Sequence, residues 1–242
     1  MRKLCFAIIG AVAFASFASA ADAPAAPRKG PVVETAPALF NWTSFYGGVN
    51  VGYGTGNAQG SIGSASTFGP FAADFDPKGW SYGGQIGARR QIESWVFGAE
   101  VALNWSDLDG SGAVSNAPGY SVSYNEKLHG TGLITAGYVF PLAPRWLPYA
   151  AGGISCTRGN LAIASKSVNR SSQDETNCGW AVGAGVDYAI ASNASIGLRY
   201  LYSDYGDSNP NFLIGASAPG VSAGVPLALT NHRISLNANL LW

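Results

Sequence analysis

From residue 41 onward the 242-residue chain falls into eight segments, seven of which repeat one pattern. Bulky apolar side chains alternate with small or polar ones over about ten residues, and then the alternation stops. Period two is the mark of a strand with two unlike faces. In 43–53, Phe45, Val49, Val51 and Tyr53 share one face, and Ser44, Tyr46, Gly48, Asn50 and Gly52 share the other. The same division recurs in 80–92, 95–105, 127–140, 178–190, 194–204 and 232–242. Segment 147–156 is apolar on both sides, so its faces stay unassigned. In 127–140, Lys127, His129, Thr131 and Thr135 fall opposite Leu128, Ile134, Ala136 and Tyr138.

The connections follow a rule as strict as the strands. Those around 93–94, 141–145 and 191–193 are short; those at 54–79, 106–126, 157–177 and 205–231 are long. Short and long alternate without exception. The bulky faces carry aromatics at strand ends: Trp80, Trp95, Trp105, Tyr138, Trp180, Tyr202 and Trp242. A water-soluble sandwich turns its bulk inward. Small polar residues opposite aromatic-tipped apolar faces suit the reverse arrangement, with the bulk toward lipid and a girdle at each interface. About ten residues is the length a tilted strand needs to cross a bilayer. The pattern predicts an all-β fold, an eight-stranded antiparallel transmembrane β-barrel, with both ends of the ring on the short-turn side. A soluble up-and-down barrel is the alternative, and it gives the outward aromatics no role.

The beginning of the chain agrees with that destination. Arg2 and Lys3 precede an uncharged apolar stretch, 4–17, and Ala18-Ser19-Ala20 offers a small-residue cleavage site. Residues 1–20 read as a Sec-type signal peptide. Residues 21–41, rich in Pro and Ala, read as a semi-extended periplasmic linker, and 42–242 as the barrel. Past residue 20 no stretch is apolar and long enough for a membrane helix. Charged residues make up 12% and the formal net charge is zero. That balance argues against a nucleic-acid partner, which calls for a basic excess.

The stretch Asn41-Trp42-Thr43-Ser44-Phe45-Tyr46-Gly47-Gly48-Val49-Asn50-Val51-Gly52-Tyr53-Gly54, following the Pro/Ala-rich leader, resembles the opening of the small porin-like outer-membrane proteins of Gram-negative bacteria. That family includes opacity-type and haemin-binding surface proteins. Leu147-Pro148-Tyr149-Ala150-Ala151-Gly152-Gly153 looks like its fifth strand, and Arg199-Tyr200-Leu201-Tyr202-Ser203-Asp204 like its seventh. The likeness runs from the leader to the last residue. It implies an outer-membrane location, contact with outer-membrane lipid and with the barrel-insertion machinery, and haemin or host surface molecules as ligands to consider. Two departures stand out. Relatives often carry arginines on strand four, where this chain has Leu133 and Thr135. They usually end in Phe, where this chain has Trp242, an outward aromatic that still suits the C-terminal insertion signal.

Five charges fall on small-residue faces and so toward the lumen: Arg89, Glu100, Asp187, Arg199 and Arg233. Eight strands leave room for packed side chains and not for a wide channel, and an unpaired charge there is costly. Glu100 and Arg199 fall at one height, Arg89 and Asp187 at another. A plug of ion pairs is the expected arrangement, with a narrow gated path for small solutes as the alternative. Cys156 and Cys178 flank one long connection, on strands expected to be neighbours. An oxidising compartment favours a disulfide there; the alternative is two free thiols out of register.

The only histidines, His129 and His232, make no zinc-type cluster. Tyr120, Tyr124, Tyr205 and His232 are the candidate haem contacts, since Tyr can ligate haem iron; no other cofactor and no metal is expected. Asp107-Leu108-Asp109-Gly110-Ser111 lacks the rest of a calcium loop and reads as a turn. His232 and Ser235 fall on opposite faces of one strand, so they make no catalytic pair. The long connections carry Asp74, Asp76, Asp107, Asp109, Glu126, Asp174, Glu175 and Asp207 against Lys78, Arg158, Lys166 and Arg170, a net −4. The reading is a monomeric, non-enzymatic barrel that supports the envelope and presents four loops outside.

Overall fold

The computed structural model describes residues 40–62, 71–113, 120–165, 171–208, 211–213, 222–224 and 227–242. Among the described residues the strands are β1 (Ser44–Ile62), β2 (Phe71–Phe75), β3 (Lys78–Ile92), β4 (Trp95–Ala113), β5 (Tyr120–Tyr138), β6 (Trp146–Ser165), β7 (Ser171–Ala191), β8 (Ala194–Ser208), β9 (Asn211–Leu213), β10 (Ser222–Gly224) and β11 (Leu227–Leu241). Eight of them, β1, β3 to β8 and β11, pair antiparallel in chain order, and β11 returns to β1 to close the ring. The seam runs from Tyr46↔Leu241 to Gly60↔Leu227. Below it, the Phe45 and Trp242 backbones exchange two hydrogen bonds of 3.0 Å. Closure leaves no barrel edge for lipid to face unsatisfied. β2 lies on the upper end of β1, and β9 and β10 form a separate two-stranded ladder.

The faces lie as the alternation predicts. Phe45, Ile86, Val101, Ile134, Leu198 and Leu236 are exposed on the outer wall, while Gln85, Glu100, Asp187, Arg199 and Arg233 are buried inside. This is a globular protein's distribution inverted, as a lipid solvent demands. Aromatic rings gather in two bands. Tyr53–Trp80, Tyr82–Trp105 and Trp180–Tyr202 lie toward the long connections; Trp95–Tyr138, Tyr138–Phe140 and Trp146–Tyr188 lie toward the short turns. The segment left unassigned resolves within β6: Leu147, Tyr149, Ala151 and Ser155 point in, and Ala150 and Ile154 point out. Leu133, Tyr149, Ala151, Ala181 and Leu201 then form an apolar layer within the lumen.

The long connections are corrected. Much of 54–79, 106–126, 157–177 and 205–231 is strand, with ladders climbing to Ala113↔Ser121 and Ile163↔Ser171. β4 to β7 have 19 to 21 residues, about twice what crossing requires. Above the upper girdle both faces carry polar residues, so the alternation that reveals a strand in lipid fades although the ladder continues. Residues 107–111 are therefore strand and not a turn.

Lys127 is corrected too. The pairing shifts between Trp105 and Leu108 on β4 and between Glu126 and Leu128 on β5. The extra residue on β5 reverses the parity above it, whereas β4 keeps its own, with Asn104 and Leu108 both buried. Glu126 turns inward, buried, and Lys127 turns outward, exposed. Residues 1–39, which hold the expected signal peptide and nearly all of the linker, lie outside the described residues.

Candidate functional site: the barrel interior

The lower end is sealed by an aromatic residue that precedes the first strand. Trp42 is completely buried against Val96, Val139, Leu147 and Ala189, with Phe40 packed on the cluster. Its backbone N–H donates to Gln91 Oε1 at 2.9 Å and its indole Nε1–H to the Pro144 carbonyl at 3.1 Å. A ring held at both polar ends is a fixed stopper.

Above it, ion pairs stand at successive heights. Arg89 pairs with Asp187, its guanidinium 4.3 Å from the centre of the Tyr46 ring. Next, Arg199 grips Glu100 through two hydrogen bonds of 2.6 and 2.9 Å. Tyr46 donates its hydroxyl to Glu100 at 2.8 Å, and Arg199 Nε donates to the Tyr149 hydroxyl at 3.0 Å. The fork geometry matches the carboxylate and makes this a strong charge-assisted contact. The cavity among Tyr46, Arg89, Val96, Glu100, Thr135, Leu147, Tyr149 and Arg199 is about 10 Å³, no more than one water's worth.

Along the seam, Asn50 Nδ2 donates to Gln85 Oε1 and Gln85 Nε2 to Asn239 Oδ1, both at 2.7 Å. Near the top, Arg233 donates to Glu126 at 2.7 Å, and the Thr157 hydroxyl to the other carboxylate oxygen at 2.8 Å. The Tyr124 hydroxyl lies 3.3 Å from Thr157 Oγ1. Ser155 Oγ lies 3.0 Å from both His129 Nε2 and the Tyr205 hydroxyl. Phe75, Pro77, Leu108 and Leu229 are buried at this end, and the Gly56 N–H donates to the Pro77 carbonyl at 2.7 Å.

Three of the interior tyrosines lie over a glycine of the next strand. A Cβ on Gly87 would overlap the Tyr46 ring, one on Gly185 the Tyr149 ring, and one on Gly159 the Tyr124 ring. The missing side chain is what lets each ring lie close against the neighbouring strand.

The five charges expected inside are inside. Arg89 meets Asp187 and Arg199 meets Glu100, at the shared heights expected. Arg233 finds Glu126, which the sequence places in an outer loop; the β5 bulge brings it in. Tyr46 was legible as the one large side chain on the small face of its segment; Trp42, outside the alternation, carried no such signal.

The haem candidates do not converge. Tyr124 and Tyr205 are buried in the lumen, while His232 is on the outer wall, its Nδ1 2.7 Å from the Tyr200 hydroxyl. The Tyr120 side chain lies outside the described residues. Cys156 and Cys178 are bonded and directly opposite each other in the β6–β7 ladder. The bond lies within a continuing ladder and not at the foot of a loop. Trp242 points outward and is exposed.

Residues 10–225 match the family model described as outer membrane protein beta-barrel domain. A 31 kDa outer-membrane immunogenic protein of Brucella melitensis is 30% identical over 221 residues, covering 86% of this chain and 89% of that protein. A 22 kDa outer membrane protein of Rhizobium leguminosarum bv. viciae is 32% identical over 170 residues, covering 68% and 65%. Among solved structures, the outer membrane protein OprG of Pseudomonas aeruginosa superposes with a TM-score of 0.54 at 15% identity, covering 84% of this chain and 99% of that one.

Proposed function

The chain belongs to the outer-membrane β-barrel domain family, and from that premise we propose that it is a closed, non-enzymatic barrel that reinforces the outer membrane and displays its hairpins to the surroundings. The observation that carries this reading is the filled interior. Ion pairs at successive heights, the Trp42 stopper and the buried side chains of the upper end occupy the space a conduit would need. A packed lumen makes a rigid rod of the barrel. The immunogenic character in the name of the Brucella relative supports a role for hairpins that rise beyond the bilayer. A catalytic reading draws no support from His232 and Ser235, which face opposite sides of β11. A haemin reading draws none from tyrosines turned inward.

The test is deletion of the coding sequence with complementation by the full chain. Loss is expected to raise sensitivity to detergent and to large antibiotics that an intact outer membrane excludes, and the full chain is expected to restore resistance. Unchanged sensitivity in the deletion strain would overturn the proposal.

A further inference from the structure

We propose that the Cys156–Cys178 bond is a thiol-exchange site on the outer wall, where Cys178 takes a small thiol from the external medium as a covalent ligand. The inference rests on the membrane-embedded barrel and not on whether its lumen is filled.

Both cysteines point outward. Cys156 follows the exposed Ile154 by two residues on β6, and Cys178 precedes the exposed Trp180 by two on β7. Cys178 is itself exposed and Cys156 half-buried. β7 descends toward the membrane, so Cys178 stands two residues above the girdle residue Trp180. At about 3.3 Å per residue and a tilt near 40°, that is roughly 5 Å beyond the girdle, on the water side.

Exchange begins when a thiolate attacks one sulfur of the bond. It approaches along the line of the bond, opposite the sulfur that leaves. The bond runs from strand to strand, so that line, prolonged, crosses the next strand on either side. Both positions met there are glycine. On the β5 side Gly130 pairs with Cys156. On the β8 side the register set by Trp180↔Asp204 carries Cys178 toward Gly206. Among the described residues the β7–β8 ladder ends at that pair. Gly206 takes a φ of 64°, its N–H donating to Asp204 Oδ1 at 2.9 Å, and β8 leaves the ladder. A Cβ on Gly206 would meet nothing within 4 Å.

The two approaches are unequal. Gly130 pairs with Leu103, two residues below the girdle residue Trp105. That path crosses lipid, which excludes a charged thiolate. Gly206 lies two residues above Asp204, the partner of Trp180, and that path opens to water. The thiolate therefore attacks Cys178 Sγ. A new sulfur–sulfur bond forms there and the Cys156–Cys178 bond breaks. Its electron pair leaves on Cys156 Sγ, which takes a proton from water. A second small thiol attacking the adduct leaves with the first as their disulfide and frees both cysteines as thiols. The fold tolerates this, because the β6–β7 ladder runs on both sides of the bond, from Trp146↔Tyr188 to Ile163↔Ser171.

The experiment uses the full barrel refolded in detergent micelles, with 2-mercaptoethanol as the probe and alkylation of released thiols as the readout. The folded wild type is expected to open within about tenfold of the rate of the urea-unfolded chain, and to keep its heat-dependent gel shift once open. Gly206→Asn adds a side chain on the open flank, and Asn accepts left-handed backbone; it is expected to slow opening by about threefold or more. Gly130→Asn, on the lipid flank, is expected to leave the rate unchanged. A folded barrel that opens more slowly than that bound, or one that loses its gel shift on opening, would mark a purely structural bond and overturn the proposal. So would a Gly206→Asn variant that opens as fast as the wild type, or a greater slowing by Gly130→Asn. Envelope sensitivity of the deletion strain is read separately, so either proposal can fail alone.

Discussion

At the residue scale, a carboxylate inside a membrane barrel persists only where its lone pairs are answered. Glu100 is answered by both arms of Arg199 and by the Tyr46 hydroxyl. Removing one partner leaves the other charge buried and alone, a loss of about 3–5 kcal/mol, whereas removing both leaves no orphan. Glu100→Ala and Arg199→Ala are each expected to lower barrel stability by that order. The double variant is expected to lose clearly less than their sum, as read by urea titration with the gel shift as probe; strict additivity would count against the pair. The pair's height was legible because both residues break a face of small side chains. Tyr149's part was not, since a strand apolar on both sides hides which way it faces. Glu93, in the two-residue β3–β4 turn, adopts a φ of 54°. Left-handed backbone suits Asn or Gly better than Glu. Glu93→Asn is expected to raise stability by about 0.5–1 kcal/mol in the same titration.

At the element scale, β5 shows where alternation stops being a guide. Below the bulge its parity follows from hydropathy alone; above it one extra residue reverses every side chain. No composition signal marks that residue, so Glu126 reads as a surface acid and Lys127 as an interior base until the pairing is seen. Glu126→Ala is expected to strand Arg233 in the lumen. The expected loss is about 3–5 kcal/mol, with no loss of the lower ion pairs' cross-strand coupling. A Glu126→Ala variant as stable as the wild type would show that the inward turn of Glu126 does not hold Arg233. The β6–β7 hairpin offers a second check. Protein denatured without reductant is expected to show no reactive thiol at Cys156 or Cys178. The Cys156→Ser, Cys178→Ser variant is expected to fold with up to about 3 kcal/mol less stability, the chain-entropy contribution for a loop of this size.

At the scale of the whole molecule, strand length exceeds what the bilayer asks for. β7, at 21 residues, spans roughly 50 Å along the barrel axis at ordinary rise and tilt, against an apolar band of about 25 Å. The barrel therefore stands above the lipid as a collar of paired backbone. Planar-bilayer recordings of folded wild type are expected to show no stepwise conductance; regular steps would contradict a filled lumen. The wall itself has the strand number of any small barrel, and what fills it includes three rings lying on three glycines. A ring on a glycine is a removable cross-bar: the floor beneath it is bare backbone, already clear of side chains. Tyr46, Tyr124 and Tyr149 thus fill the lumen from a wall that needs no rebuilding if they are shortened. Shortening all three would widen the interior within the same eight strands and leave Trp42 and the three ion pairs as what still closes it.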